Sequence, residues 1–332
     1  MPTVPQPLDR RSFDAALLMD SHPPVWRHPN KEVVAAISCP PGAVHVGTLG
    51  YSRWSALALP ATPGTADATT IVERPGFYDY VPVGGSAVEW HVNFSDPHLF
   101  VAYGSPLLAQ DELQVAEHPV LGALKEALDA ERAVARTMDG ARPTPVLVTG
   151  AERRCRIATD PDATSGRPGG LYGNEFARAS AEVVRRATTP IQPPTITNLI
   201  AMAAPGYGVG PYTGEQIEGI LATAYTAFAA AAAEGASLAD DSAPSVTHTG
   251  YWGCGAFGGN RVLMAALQVL AARMAGIGTL AFHVGDAAGS ELLADALEVV
   301  DGAAGVRDAA STRELIDALA AYGFRWGVSD GT

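Results

Sequence analysis

Residues 249–259 read Thr249-Gly250-Tyr251-Trp252-Gly253-Cys254-Gly255-Ala256-Phe257-Gly258-Gly259, or TGYWGCGAFGG. The short apolar run SVTH (245–248) precedes them and NRVLMAALQVLAARMAG (260–276) follows. The first has the length of a buried strand and the second the continuity of a buried helix. A strand, a glycine-rich turn and a helix N-terminus together gather backbone N–H groups that suit a phosphate. Two other readings compete. Gly253-x-Gly255-x-x-Gly258 has the spacing of a dinucleotide-binding turn, with Asp286 as a ribose ligand. Only 46 residues follow Asp286, too few to complete such a domain. A purely structural turn would let the helix approach the sheet, but it leaves Trp252 and Phe257 without a reason.

The rest of the chain narrows the choice. It has 332 residues, 47% of them hydrophobic, enough for one large core. No run of eighteen apolar residues occurs and no apolar segment follows the first arginines, so a soluble, cytoplasmic protein without a signal peptide is expected. Cys39, Cys155 and Cys254 are scattered and odd in number, which suggests neither a disulfide framework nor a zinc knuckle. The formal charge is −13, which disfavours generic nucleic-acid binding; an anionic ligand would need a local cradle of amides.

Along the chain, residues 1–30 read as a proline-rich arm around a helical stretch at 12–19. Strand character is expected at 32–38, 43–49 and 55–60, and a Gly/Pro/Thr loop after that. AVEWHVNF (87–94) alternates as a strand does, and 107–135 reads as helix broken at Pro119. Further strands are expected at 145–150, 195–205, 245–248 and 279–284, with helices at 174–187, 214–234, 260–275, 289–299 and 311–322. Strands alternating with helices imply a layered α/β fold around a largely buried sheet.

The loop TGYWGCGAFGG resembles the distal part of the poly(ADP-ribose) glycohydrolases, whose run TGNWGCGAFGG agrees at ten of eleven positions. The helix residues Ala266-Leu267-Gln268-Val269-Leu270-Ala271-Ala272 and the pair Gly285-Asp286 also stand in matching places. That family carries V-D-F-A-N, three glycines and Q-E-E before a helix. This chain has Val92-Asn93-Phe94-Ser95-Asp96 and, after the same separation, Gln110-Asp111-Glu112. Phe100-Val101-Ala102 replace the glycine triplet, with Gly104 two residues on, so that loop freedom is expected to be shifted to Gly104. PVLVTGAE (145–152) and Leu171-Tyr172-Gly173-Asn174-Glu175-Phe176 resemble further family segments. Val284 stands where the family has a second adenine-side aromatic.

The resemblance implies a three-layer α/β/α macrodomain-like fold with a mixed central sheet, residues 87–332 forming the core and 1–86 an N-terminal extension. It implies an ADP-ribosyl glycohydrolase acting on ADP-ribosylated proteins, polymer ends, or both. Glu112 would be the general acid. Asp111, Asn93 and Asp96 would orient ribose and water, with Gln110 beside them. Gly253, Cys254, Gly255, Ala256, Phe257 and Gly258 would hold the diphosphate and its ribose, and Tyr172 would cover adenine. Independently of the family, adjacent carboxyls suit glycosidic hydrolysis, which needs a proton for the leaving oxygen and a placed water. A helix-opening Asp-Glu can also be an inert, exposed first turn.

No cofactor or metal is expected: the eight histidines are scattered without an HExxH motif. Gly104-Ser105 lacks the second glycine of a serine-hydrolase elbow. Cys254, at a helix N-terminus, reads as a small packing residue, and His248 as a hydrogen-bonded strand histidine. A monomer is expected. The alternatives are a non-catalytic ADP-ribose reader and an enzyme acting on another nucleotide-linked sugar.

Overall fold

The computed structural model describes residues 6–63, 69–85, 87–238 and 244–331. Eight strands form one sheet in the order β1-β2-β7-β8-β4-β9-β10-β3. Their ranges are β1 Pro7–Asp14, β2 Thr48–Trp54, β3 Thr70–Arg74, β4 Val88–Ser95, β7 Val146–Ile157, β8 Thr188–Ala203, β9 Ser245–Thr249 and β10 Thr279–His283. A separate two-stranded ribbon pairs β5 (Met138–Asp139) with β6 (Arg142–Pro143). The pairs β1/β2, β2/β7 and β7/β8 are antiparallel, and those linking β8, β4, β9, β10 and β3 are parallel. The expected mixed sheet is therefore present.

Alternation along the strands sends side chains to two helical layers. Trp90, Val92, Leu147, Ile200, Met202, Leu280 and Phe282 pack with α7 (Gly214–Leu238) and α8 (Arg261–Ala275). α9 (Ala287–Leu297), a π-helical turn (Glu298–Gly302), α10 (Ala304–Arg307) and α11 (Thr312–Ala321) complete that layer. On the other face Val146, Val148, Leu199 and Ala201 meet α1 (Ala15–Ser21) and α4 (Pro119–Ala130). A neighbouring cluster there joins α2 (Pro29–Ser38), α3 (Gln110–Glu117), α5 (Glu175–Arg178) and α6 (Ala181–Ala187).

The N-terminal part differs from its sequence reading. The boundary expected after residue 86 falls inside the sheet, because β1 and β3 are its two edges and β2 pairs with β7. Residues 32–38, expected as a strand, belong to α2: Pro29 fits its first turn and His28 Nδ1 accepts from Asn30 N at 3.3 Å. The strands expected at 43–49 and 55–60 give way to β2 between them. Its Ser52 and Arg53 are buried polar residues, so its hydrophobic signal is poor. The loop expected after Pro60 lies partly outside the described residues, and its described part runs into β3.

Candidate active site

The site is assembled at the C-terminal ends of β4, β9 and β10, where an open sheet of parallel strands leaves its crevice. Gln110 fixes the start of α3 to β4: its Oε1 accepts from Phe94 N at 2.7 Å and its Nε2 donates to Val92 O at 3.1 Å. Asn93, on the face of β4 toward α3, donates through Nδ2 to Asp111 Oδ1 and to Gln114 Oε1, both at 3.0 Å. Its Oδ1 is buried without a partner among the described residues. Glu112 turns back on its helix, Oε2 accepting from Ala109 N at 3.1 Å.

Asp111 and Glu112 are only 6% and 5% exposed, so the reading of an exposed, inert first turn does not hold. Burial disfavours charge on both. Together with the neighbouring Glu112 it pushes Asp111 up to about 8, against the Asn93 hydrogen bond and the Lys31 charge. Glu112 is also raised, chiefly by burial, with Lys31 as the largest opposing influence. Two adjacent acids that resist ionisation near neutrality are chemically equipped to deliver a proton. Asp96 stands apart, in an exposed turn where Oδ1 accepts from His98 N at 2.8 Å. No bond joins it to Asn93 or Asp111 among the described residues, but its charge raises both carboxyls.

The glycine triplet's replacement is not compensated at Gly104. Phe100 takes the left-handed backbone itself (φ 51°) and is buried. Gly104 is needed elsewhere: a Cβ there would lie 2.4 Å from Val25 O, and Gly104 O accepts from Arg27 N at 2.9 Å. The expectation that its freedom serves the ligand loop is thus corrected. Gly104 lets the N-terminal segment pack close.

The glycine loop combines both roles weighed for it. Trp252 is fully buried and donates through Nε1 to Met202 O at 3.0 Å, which anchors the loop in the core. Gly253 (φ 74°) would place a Cβ 2.5 Å from that of Ala204, so its lack of a side chain is structural. The turn closes through Gly258 N to Gly255 O at 3.1 Å and Gly259 N to Gly253 O at 2.9 Å. The amides of Gly255, Ala256 and Phe257 donate to no protein group among the described residues, so three consecutive donors remain for an anion. Burial raises the Cys254 thiol to about 12, in keeping with a packing residue. Phe257 lies half-buried beside Gly206 and edge-on to Tyr207. His248 is a buried strand histidine, bonded to Glu89 (3.0 Å) and His283 (3.1 Å).

Tyr172 joins the same locality, its hydroxyl accepting from Gln110 N at 3.1 Å. Its ring lies parallel to Phe77, with centroids 6.1 Å apart and planes at 4°. Phe77 is 59% exposed and comes from the loop after β3, which the sequence reading passed over. It approaches Gly285, one residue beyond Val284, so an aromatic reaches this corner from a different element. A second unforeseen neighbour is the segment 325–331. It runs along the glycine loop through Gly327 N to Gly258 O (2.8 Å) and Asp330 N to Gly255 O (3.4 Å). Gly331 O then accepts from Asn174 Nδ2 at 2.9 Å. Neither segment carries a motif; the crossing of the chain alone brings them here. No group of three or more His, Cys, Asp or Glu is placed to hold a metal among the described residues.

Residues 171–289, which include Tyr172 and the whole glycine loop, match the family model described as poly(ADP-ribose) glycohydrolase (PARG), macro domain fold. The glycohydrolase match begins after the carboxyl pair, so Asn93 and Gln110-Asp111-Glu112 lie outside it. Among solved structures, the chain is similar to the poly(ADP-ribose) glycohydrolase of Thermomonospora curvata, with 14% identity over 86% of this chain and 85% of that one, TM-score 0.44. The same enzyme bound to the inhibitor ADP-HPD gives 15% identity, 81% and 99% coverage and TM-score 0.46. The glycohydrolase of Deinococcus radiodurans in complex with ADP-ribose gives 12%, 88% and 94%, and 0.40. No curated protein matches. At such identities and TM-scores, the functional reading rests on the site's own residues and on the segment that matches the family model. No helix among the described residues is long and apolar enough to cross a membrane.

Proposed function

We propose that this protein is a hydrolase of ADP-ribosyl linkages, removing ADP-ribose from modified proteins, from polymer ends, or both. The observation that carries the proposal is the meeting of a buried carboxyl pair with a glycine loop, within the matched segment, whose three amides engage no protein group among the described residues. Gly255, Ala256 and Phe257 would receive the diphosphate, with Gly253, Cys254 and Gly258 shaping the turn. Adenine would lie against Tyr172 and Phe77, since an aromatic face suits a purine. Glu112 would protonate the oxygen leaving the ribose anomeric carbon as that C–O bond breaks. Water then adds to the oxocarbenium-like carbon and returns a proton to the carboxylate. Asp111, held by Asn93, would orient ribose and water, and Asp96 would add negative field at the rim. The protein would work as a cytoplasmic monomer; its three cysteines are unpaired.

Incubation with an auto-modified ADP-ribosyltransferase tests this directly. Release of free ADP-ribose is expected. The reader alternative draws on the deep burial of both carboxyls and on Phe100-Val101-Ala102 in place of glycines. Tight binding of ADP-ribose with no release from any modified protein would decide for the reader.

A further inference from the structure

Arginine supplies nearly all the positive charge of this chain; its two lysines are Lys31 and Lys125. Lys125 pairs with Asp129 one helical turn away on α4. Lys31, in the first turn of α2, is completely buried. Its Nζ donates to Tyr103 O at 2.9 Å and to Glu112 O at 3.5 Å, and it lies 5.7 Å from the Phe176 ring centroid. A buried ammonium is costly unless negative charge lies close. The groups it senses are Glu112 first and Asp111 second, the two acids of α3. The other surfaces around it are largely uncharged: α5 offers the Phe176 ring, and the turn before α3 offers the Tyr103 carbonyl. Asn30, beside it on α2, is engaged with the carbonyls of Phe176 and Ala179. The remaining titratable neighbours of the pair are Asp96, which acts on both acids, and Tyr172, which senses Glu112.

We propose that Lys31 is a positioning residue of the active site: its buried ammonium is the counter-ion that lets the Asp111–Glu112 pair hold one negative charge and one proton. The inference rests on the hydrolase reading. Without a fixed cation, two buried acids side by side both stay protonated, and no carboxylate is left to orient ribose or water. With it, one acid ionises while its neighbour keeps the proton needed by the leaving oxygen. The contact with Tyr103 O adds a mechanical role, since Tyr103 closes the loop that begins at Phe100. Lysine suits the position because a compact ammonium exchanges its proton in such surroundings, whereas guanidinium does not. Burial pulls Lys31 down to about 8, with the negative charge of the acid pair opposing.

The first test is the pH profile of kcat for Lys31→Met. Loss of a buried opposite charge beside the start of α3 should move the acidic limb upward by roughly one to two pH units. ADP-ribose affinity should stay within about threefold, because no adenine or diphosphate contact is removed. A folded Lys31→Met protein with an unmoved profile would overturn the proposal. The second test needs no activity and serves if that variant does not fold. The side-chain amines of the wild type and of the double variant Asp111→Asn/Glu112→Gln are isotope-labelled and titrated by NMR. Only two lysine signals arise, from Lys31 and Lys125. Lys31 should titrate lower in the double variant than in the wild type, because that variant removes the negative charge of the pair. A Lys31 signal that ignores the double substitution refutes the coupling. If wild-type turnover is absent while the coupling is seen, the hydrolase reading fails and the counter-ion assignment stands.

Discussion

Replacing Glu112 by glutamine separates chemistry from folding. A glutamine oxygen can still accept the Ala109 N–H bond that Glu112 Oε2 accepts at 3.1 Å, so the first turn of α3 keeps its tether. As the acid of the pair Glu112 is neutral, so the isosteric amide changes little of the charge at the helix N-terminus. Stability should therefore change by no more than about 1 kcal/mol. Catalysis should respond very differently. A positioned general acid contributes roughly 10²–10⁴-fold, or about 2.7–5.5 kcal/mol of barrier. Single-turnover release of ADP-ribose from a modified protein measures the loss, and calorimetric titration with free ADP-ribose measures binding, expected to be nearly unchanged. Near-normal release by Glu112→Gln would falsify the assignment of the acid. A fall in ADP-ribose affinity as large as the fall in rate would show that Glu112 binds rather than reacts.

Phe77→Ala should weaken ADP-ribose about tenfold, in the range of one lost stacking partner, while ribose 5-phosphate binding stays the same; equal losses for both ligands would remove Phe77 from the adenine corner. Gly258→Val should lower the melting temperature by the equivalent of about 1–3 kcal/mol, since φ is 66° and the new Cβ would lie 3.1 Å from Ser329 N. An unchanged melting curve would mean that segment 327–329 is not held against the loop. Stability should also fall between pH 6.5 and 8. Burial keeps one proton on the folded Asp111–Glu112 pair that both carboxyls lose at about 4 when unfolded, so this contribution, complete at low pH, drains as pH rises. The drop should shrink in Asp111→Asn and in Glu112→Gln, each of which leaves a single acid. Below 6.5 the slope is opposed by buried histidines that resist protonation, His118 at about 3 and His45 and His283 at about 4. Thermal melts at constant ionic strength would contradict this if stability rose steadily from pH 6.5 to 8.

The sequence was most legible where local pattern and tertiary role agree. α8 is capped by Asn260, whose side chain accepts from Leu263 N, and ends at Gly276 in the left-handed region, so its boundaries are written locally. The α3–α4 break at Pro119 and the alternation of β4 were equally readable. The apolar run at 32–38 misled because branched residues suit strands, whereas the deciding features are His28, Pro29 and packing of Val34 among Leu108 and Phe176. Within the site, Asn93, Gln110, Asp111 and Glu112 stood in one linear signature and Tyr172 in a separate segment, and hydrogen bonds of Gln110 and Asn93 bring the two segments to one locality. Asp96 belongs to that signature too, yet its turn carries it outward. Lys31, Phe77 and residues 325–331 gave no signal because each reaches the site from a distant part of the chain.

The sheet's edges impose an order on synthesis. β3 is complete by Arg74, but its partner β10 begins at Thr279, about two hundred residues later. At the usual pace of translation, roughly 5–20 residues per second, the segment Thr70–Arg74 waits about 10–40 seconds for its ladder. During that interval Phe77, in the loop that follows, lacks the corner around Gly285 that it approaches in the finished fold. Strand Thr70–Arg74 is short and carries Glu73 and Arg74, which makes a waiting edge a poor template for a neighbouring nascent chain. A nascent chain stalled before residue 279 should therefore leave Thr70–Arg74 open to protease, and one released after residue 283 should not.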